Sequence, residues 1–268
     1  MLYNKVGLIT LGLSNNMIGQ GGAKELAGCL EGLTRIQKIS LESNLIGNAG
    51  LNAISKALHD NTSLEELYLY NNELTCDGMQ ELGNMLKNKK SLTTLGLEYN
   101  RIRARGIQFI TGPLSGLPKL ERLFFNQNQL SGDGGQALCD LLVASKSLKE
   151  LRLSNNPIGD AGGFHVADGI NRSTSLKVAH LSDTKVSGQT ALKLVEMIRT
   201  KGKHMVKDLD ISNNLIIMDD IDKLADAFKE SQIECLNIRG NFVSAEEIIA
   251  FEQILLAVST MSKRKFIF

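Results

Sequence analysis

A short motif that recurs from one end of the chain to the other constrains the fold more than any other feature. The motif has the form LxxLxLxxNxI, and nine copies begin at positions 8, 36, 64, 92, 120, 148, 176, 206 and 233. The first seven copies start 28 residues apart, the eighth starts 30 residues after the seventh, and the ninth starts 27 residues later. A fixed period of roughly 20 to 50 residues is typical of repeat architectures. The chain is therefore predicted to be a stack of similar units.

Each copy of the motif is followed by a segment with the period of a helix. The alternating leucines of the motif predict a short strand, because successive side chains of a strand point to opposite faces. Leu26 and Leu30 follow Ile18 at steps of eight and twelve residues, and the later repeats also have apolar residues at these steps. That spacing places the side chains on one stripe of a helix. Each repeat is expected to hold one strand and one helix.

Stacking decides the shape of such a molecule. One strand and one helix cannot bury their own apolar faces, whereas stacked units bury a continuous core. Helices are wider than strands, so the stack must curve with its sheet on the inside. The predicted fold class is an α/β solenoid, a curved horseshoe of about nine repeats. Its parallel β-sheet lies on the concave face and its α-helices lie on the convex face.

Two further residue types recur with the repeat. An asparagine follows the strand in every repeat except the seventh, which has Thr184. Stacked amides can satisfy buried backbone groups in the turns, so Thr184 is expected to weaken this ladder and to mark a flex point. A glycine four residues after the motif lets the helix start close to the turn in repeats one to six. Repeats seven to nine carry Thr190, Asp220 and Glu247 at that position.

The pattern resembles the ribonuclease-inhibitor-like class of leucine-rich repeat proteins. The spacing of 28 residues, the motif with its Asn and Gly, and the following helix carry this resemblance over nearly the whole chain. The resemblance implies a leucine-rich repeat solenoid and protein binding, often on the concave sheet. It also leaves open a RanGAP-like activator of small GTPases, or a repeat array of a larger receptor or secreted bacterial effector.

The two ends of the chain differ in what covers the core. We expect a single domain over residues 1–268, with a C-terminal capping helix and tail over 244–268. Ser244 is predicted to cap that helix at its N-terminus, and the apolar end of the tail, residues 266–268, is predicted to fold back as a cover. Only seven residues precede the first motif. Either a partner covers that end, or the chain is part of a longer protein.

The bulk composition argues against several classes of partner. Thirty Lys and Arg residues nearly balance 29 Asp and Glu residues, giving a net charge of +1, so no nucleic acid or membrane partner is predicted. The lysine-rich stretches at 87–90 and 199–207 are interpreted as a solvated edge. Four scattered cysteines and the lack of a signal or spanning segment predict a cytoplasmic protein, with delivery into a host cytosol as an alternative.

Aromatic residues gather on the predicted concave face of repeats three to five. Tyr68 and Phe124 occupy the same column on either side of Gly96, so they should stand about 10 Å apart and flank a notch floored by backbone. Tyr70 and Tyr99 border the same notch. Aromatic residues are enriched at binding hot spots, so we interpret these rings as a partner-binding site. The alternative is that they only pack on one another.

Charged residues adjoin this group. Glu98 and Arg101 accompany Tyr99 at and beyond the end of strand four, and we include both in the partner-binding site. Arg152, His180 and Asp210 share one column in successive repeats, and Arg122 and Glu150 are neighbours in another column. These residues are either a ladder of weak solvated pairs or an electrostatic strip that docks a partner.

No arrangement of residues predicts catalysis. His180 and Cys235 are about 10 Å apart in the predicted sheet, too far for a nucleophile and its base. No group has metal-ligand spacing, so neither a metal nor a cofactor is predicted. Arg101, Arg103 and Arg105 are placed on a rim loop, the kind of position that a GTPase activator would use. The preferred function is a non-enzymatic module that grips a protein and, in one form, occludes an enzyme as ribonuclease inhibitors do.

Overall fold

The computed structural model describes residues 7–199, 206–217, 220, 223–224, 226–228, 231–241 and 265–267. Within these residues, ten parallel strands form one sheet, and their order in the sheet is their order in the chain. The strands are β1 (Thr10–Gly12), β2 (Lys38–Ser40), β3 (Glu66–Tyr68), β4 (Thr94–Gly96), β5 (Arg122–Phe124), β6 (Glu150–Arg152), β7 (Val178–His180), β8 (Asp208–Asp210), β9 (Cys235–Asn237) and β10 (Lys265–Ile267).

Helices connect successive strands. They are α1 (Gly19–Leu30), α2 (Gly47–Ala57), α3 (Cys76–Leu86), α4 (Arg103–Ser115), α5 (Gly135–Ala144), α6 (Gly159–Arg172) and α7 (Gly188–Arg199), with a 3₁₀ turn at Gly132–Gly134 before α5. Residues 220, 223–224 and 226–228 are also helical. Each helix packs on the next one along the chain. The predicted solenoid of alternating strands and helices is confirmed.

The core lies between the sheet and the helices. Leu67, Leu69 and Leu74 of the third repeat are at most 1% exposed, and the same motif positions are buried in neighbouring repeats. Strands pair in the register that the motif predicts, for example Leu67 with Leu95. The outward residues of all strands therefore form straight columns across the concave face.

The asparagine ladder forms as expected from the sequence. The backbone amide of Asn44 donates to the side-chain oxygen of Asn72 at 3.0 Å, and the amide of Asn72 donates to the side-chain oxygen of Asn100 at 3.0 Å. Each side-chain NH₂ group also donates to carbonyls of its own turn and of the preceding strand, as Asn72 does to Leu69 and Leu41. These bonds satisfy buried backbone groups of the turns.

Thr184 interrupts this ladder, as predicted. Its hydroxyl donates to the carbonyl of Leu181 at 2.8 Å, and its amide donates to the side chain of Asn214 at 2.9 Å. Among the described residues, however, none accepts a hydrogen bond from the backbone amide of Asn156, and the Ile158 amide turns to the Asn156 carbonyl. The flex point expected there remains a prediction.

The glycine of the strand-to-helix turn is required by close packing. A Cβ atom at Gly106 would lie 2.5 Å from Cγ2 of Ile102 and 3.1 Å from the backbone of Cys76. In repeat seven, Thr190 fills this place, is fully buried, and donates to Asp160 at 2.5 Å. A hydrogen bond between adjacent repeats therefore replaces the bare backbone contact at this turn.

Two expectations about basic residues are wrong. Lys89 lies in a stretch interpreted as a solvated edge, yet its side chain is fully buried and donates to the carbonyls of His59 and Asn61. Arg103 and Arg105 lie in the first turn of α4 rather than on a rim loop. Arg101 alone of the three keeps the predicted rim position, where it forms an isolated bridge with Thr75.

The end of the chain adds a strand to the sheet. Residues 265–267 pair with β9 in parallel, so the tail folds back onto the last repeat, with residue 268 outside the described residues. Ser244 and the capping helix expected after it also lie outside the described residues, and the single domain over 1–268 stays a prediction. In the described ranges, no helix is both long and apolar enough to cross a bilayer.

Candidate functional site

The concave face of repeats three to five carries an aromatic patch made of Tyr68, Tyr70, Tyr99 and Phe124. The register places Tyr68 opposite Gly96, and Gly96 opposite Phe124, as the sequence predicts. Tyr68, Tyr70 and Phe124 are half-buried, and Tyr99 is 54% exposed. The strands therefore bring the predicted rings onto one surface.

The expected notch floored by backbone is not present. Gly96 is buried, because the ring of Tyr68 and the carboxylate of Glu98 both reach over it. A Cβ atom at Gly96 would lie 3.0 Å from Cδ1 of Tyr68 and 3.1 Å from Oε2 of Glu98. Glycine is needed here because a side chain would displace both groups. The gap between the two rings thus presents a carboxylate, where bare peptide was expected.

A cation lies against each of the two rings of this column. The ammonium of Lys38 on β2 is 5.2 Å from the centre of the Tyr68 ring, and the guanidinium of Arg152 on β6 is 5.0 Å from the centre of the Phe124 ring. Such contacts stabilise by roughly 0.5–1 kcal/mol at exposed sites. Both cations come from strands outside the pair of rings, so they hold the rings from the outer sides.

Glu66 organises the first of these cations. Its carboxylate pairs with Lys38 at 2.7 Å and accepts a hydrogen bond from the Tyr68 hydroxyl at 3.1 Å. The hydrogen bond from Lys38 is the main reason that the pKa of the Glu66 carboxyl lies below its usual value. Burial, followed by the hydrogen bond to Glu66, raises the pKa of Tyr68. The tyrosine therefore presents a neutral ring in a fixed position.

Tyr70 and Tyr99 form a second pair of rings. Their centres are 6.2 Å apart and their planes are inclined by 57°, a favourable tilted arrangement. Tyr99 has a φ of 56°, in the left-handed region, and the equivalent Asn71 and Gln127 have φ values of 54° and 52°. The fold imposes this conformation on every turn. A residue other than Gly, Asn or Asp is destabilised in it by roughly 1–2 kcal/mol. The tyrosine here thus has a conformational cost that a smaller amide largely avoids.

Arg101 lies on the rim beside Tyr99. Both residues, together with Leu45 and several side-chain amides, line a cavity of about 420 Å³. Leu45 is 47% exposed and also has a positive φ of 57°. The aromatic patch therefore continues from the sheet onto the rim, with one cation and one apolar side chain at its border.

Glu98 is a half-buried carboxylate of this surface. Burial raises the pKa of its carboxyl above the usual value, while the nearby positive charge of Arg152 acts in the opposite direction. Within the described part of the chain, no ion pair is formed by Glu98. The neighbouring outward carboxylates differ, since Glu66 pairs with Lys38 and Glu150 pairs with Arg152 at 2.6 Å.

The charged residues beyond the patch share the predicted column but do not pair along it. Arg152, His180 and Asp210 are in register across β6, β7 and β8. His180, however, approaches Asp208, with 3.8 Å between Nε2 and Oδ2. Asp210 accepts from the backbone amide of Ser212. The column is formed, although its members do not bond to one another.

Arg122 also points away from the expected neighbour. Its register partner is Glu150, but its guanidinium lies 3.8 Å from Glu66, and its Nε donates to Thr94 at 3.0 Å. Glu150 instead pairs with Arg152 of its own strand. Sequence reasoning missed Lys38 and Glu66, which are in register with each other on β2 and β3. Their adjacency to Tyr68 in the columns was the signal that identifies them.

The described residues lack a metal-ligand cluster, and the Cys235 thiol there is not activated. No group of three or more His, Cys, Asp or Glu side chains there could hold a metal ion. Burial, followed by the charge of Asp208, raises the pKa of the Cys235 thiol, which leaves it a poor nucleophile. The surface is suited to contact, through rings and fixed charges.

Comparisons with known proteins agree with the repeat architecture. Models of the leucine-rich repeat family match residues 63–85 and residues 144–167. No curated protein matches the chain by sequence. Among solved structures, a leucine-rich repeat protein of Leptospira interrogans is similar over 90% of this chain at 18% identity, with a TM-score of 0.48. The chain spans 57% of the length of that protein.

A second similar structure is actin-binding site 2 of leiomodin-1. It matches 57% of this chain and 88% of its own length, at 21% identity and with a TM-score of 0.41.

Proposed function

We propose that this chain, a leucine-rich repeat protein, binds a partner protein on its concave face, with the aromatic patch at the centre of the contact. A leucine-rich repeat domain suggests protein interaction. We assign the contact to the concave sheet of repeats three to five because of the residues at positions that the repeat leaves free to vary.

The observation that carries this proposal is the concentration of rings in the outward positions of three adjacent repeats. The repeat provides its own control, because the positions of Tyr68 and Tyr70 hold Gly12 and Ser14 in the first repeat. Aromatic and arginine side chains are enriched where binding energy concentrates. The fold itself requires none of these rings.

The geometry supports the proposal because the side chains of the patch are already ordered by their neighbours. Lys38 and Arg152 lie against two of the rings, and Tyr70 packs against Tyr99 at a tilt. A side chain that is already ordered loses little entropy on binding, which saves about 0.5–1.5 kcal/mol for each one. The mechanism would be steric, with the sheet covering part of the partner's surface. Occlusion of an enzyme's active site is the specific form of this idea.

The test uses the full chain and three proteins. Wild type, a triple variant with Tyr68→Ala, Tyr70→Ala and Phe124→Ala, and a control variant with Phe164→Ala are immobilised side by side. Captured proteins are identified by mass spectrometry, and the Kd of each is then measured with purified material. Phe164 is a matched control because it lies on α6 in the helix layer, with Lys193 5.0 Å from its ring centre.

A partner that uses the patch binds wild type and Phe164→Ala with the same Kd. The triple variant is expected to bind it at least about 100-fold more weakly, because central aromatic anchors each contribute on the order of 2 kcal/mol. Circular dichroism and thermal unfolding establish that each variant is folded. A folded triple variant that retains the wild-type Kd contradicts the proposal.

A further inference from the structure

We propose that the partner places an arginine side chain against Glu98, in the gap between Tyr68 and Phe124. This inference rests on the proposed function and adds the chemistry of the group that enters the patch. It assigns to Glu98 a role as the specificity-determining carboxylate of the concave face.

The carboxylates around the patch differ in whether a cation of the same chain pairs with them. In the described chain, Glu66 is neutralised by Lys38, Glu150 by Arg152, and Asp208 faces His180. Glu98 forms no such pair in these residues, although it is half-buried. Burying a carboxylate without a counter-ion is unfavourable, and a cation supplied by a partner removes that penalty.

The carboxylate of Glu98 lies close to the ring of Tyr68. Oε2 of Glu98 and Cδ1 of Tyr68 lie 3.1 Å and 3.0 Å from the same point above Gly96. The carboxylate and the ring edge are therefore separated by at most the sum of these distances. Phe124 stands on the following strand, in register with Gly96. A cation that bonds to Glu98 consequently lies between two aromatic rings.

The protein's own cations, Lys38 and Arg152, occupy the outer sides of those rings. Lys38 belongs to β2, which precedes the strand of Tyr68, and Arg152 belongs to β6, which follows the strand of Phe124. Arg152 is held by Glu150 through a 2.6 Å contact. The inner position on β4 is left for a cation from outside the described residues.

Among the cationic side chains, arginine fits this site best. A guanidinium is planar, stacks on aromatic rings and pairs with a carboxylate through two parallel hydrogen bonds. An ammonium is a strongly hydrated point charge and gains less from a site bordered by rings. The two rings and the single carboxylate at Glu98 match the guanidinium.

The test uses a small probe on the full chain. N-acetyl-arginine amide is titrated into ¹⁵N-labelled protein, and N-acetyl-citrulline amide, which has nearly the same shape without the charge, serves as the comparison. The arginine probe is expected to bind with a Kd of about 1 mM, as suits a ligand of its size. It should shift the amide signals of Gly96 and Glu98, and citrulline should bind at least about fivefold more weakly.

Variants separate Glu98 from the rest of the surface. Glu98→Gln is expected to weaken arginine binding by about fivefold or more. Glu31→Gln should change it by less than about twofold, because Glu31 is exposed at the end of α1 in the helix layer and does not lie on the sheet. As a second measurement, the pKa of the Glu98 carboxyl in the wild type should fall when arginine amide saturates the site.

Equal binding of the two probes, or arginine binding that survives Glu98→Gln, overturns the inference. An unchanged pKa of Glu98 on saturation overturns it as well. The proposed function fails in a distinguishable way, when a protein captured by the chain binds the aromatic triple variant as tightly as wild type. If that protein needs the rings but binds Glu98→Gln normally, the proposed function stands and the arginine inference is wrong.

Discussion

At the scale of single residues, Lys89 departs most from what its neighbours in sequence suggest. It lies among three other polar or basic residues at 87–90, yet its side chain is fully buried. Its ammonium donates to the carbonyls of His59 at 2.9 Å and of Asn61 at 2.7 Å. Burial lowers the pKa of Lys89 to about 8, against a smaller opposing effect of Asp60. The charged form is therefore held at a cost inside the fold.

This cost predicts an unusual pH dependence of stability. Because the pKa of Lys89 is lower in the folded state than its usual 10.5, the unfolded chain binds more protons between pH 8 and pH 10.5. The contribution of Lys89 to the unfolding free energy therefore rises with pH in that window, by at most about 1.4 kcal/mol per pH unit. The measurement is urea unfolding of wild type and Lys89→Met from pH 7 to pH 10, with the difference taken at each pH.

The neighbouring Lys90 provides the control for this experiment. Lys90 is exposed, so the difference between wild type and Lys90→Met should stay flat over the same range. A flat difference for Lys89→Met would show that its ammonium is not destabilised by burial.

The sequence contained a signal for Lys89 that its local composition hides. The position three residues before each motif holds Leu33, Asn61, Lys89 and Leu117 in repeats two to five, and all four are buried. The repeat predicts which backbone positions are inside, because every unit must stack on the next one. It does not predict how a long charged side chain is satisfied there, since that depends on carbonyls of the preceding repeat.

At the scale of elements, the ladder of asparagines joins each turn to the next. Its interruption at Thr184 leaves the Asn156 amide without an acceptor among the described residues. Thr184 is fully buried, in the place that asparagine fills in the adjacent turns. An asparagine at position 184 could supply that acceptor.

Restoring the asparagine should restore the bond. Thr184→Asn is expected to raise the unfolding free energy by about 1 kcal/mol, the net value of a buried hydrogen bond. The backbone amide of Asn156 should at the same time exchange more slowly with D₂O. Urea unfolding measures the first effect, and hydrogen exchange followed by NMR measures the second.

Thr174→Asn makes the same chemical change at an exposed site, so it should alter neither quantity. If Thr184→Asn leaves both the stability and the exchange of the Asn156 amide unchanged, the interruption has no energetic meaning.

Register was predictable for the strands because the motif repeats the same burial pattern in each unit. Side-chain pairing on the concave face was less predictable. Arg122 has Glu150 beside it in register, yet it turns to Glu66 and Thr94. Exposed ion pairs are typically worth less than about 1 kcal/mol, so small packing differences choose among competing partners. The positions of the aromatic residues followed from the columns, whereas the covering of Gly96 depended on rotamers.

At the scale of the whole molecule, the solenoid is a one-dimensional stack in which each repeat contacts its neighbours. Stability in such a stack is close to a sum of unit and interface contributions. The last described strand, β10, covers the edge of β9. The backbone amide of Lys265 donates to the carbonyl of Glu234 at 2.7 Å, and the backbone amide of Ile238 donates to the carbonyl of Ile267 at 2.8 Å. An open edge with unpaired backbone groups is also a site for unwanted pairing with other chains.

Deleting residues 265–268 should therefore act locally. The backbone amide of Ile238 loses its acceptor and is expected to exchange at least about tenfold faster, since a lost hydrogen bond of roughly 1 kcal/mol combines with exposure of the strand edge. The amide of Leu41 donates to the carbonyl of Tyr68 on the neighbouring strand, and it lies seven strands away from Ile238 in the sheet. It should keep its wild-type protection. Hydrogen exchange followed by NMR resolves the two amides in one experiment.

The pattern of change across the sheet is the decisive result. Faster exchange that is confined to the last repeats means that β10 acts as a cover for one edge of a stack of nearly independent units. An equal loss of protection at Leu41 would contradict this description, because the end of the chain would then stabilise the entire sheet as one cooperative unit. In that case, the aromatic patch in repeats three to five would also depend on the tail, and binding by the truncated chain would weaken together with its stability.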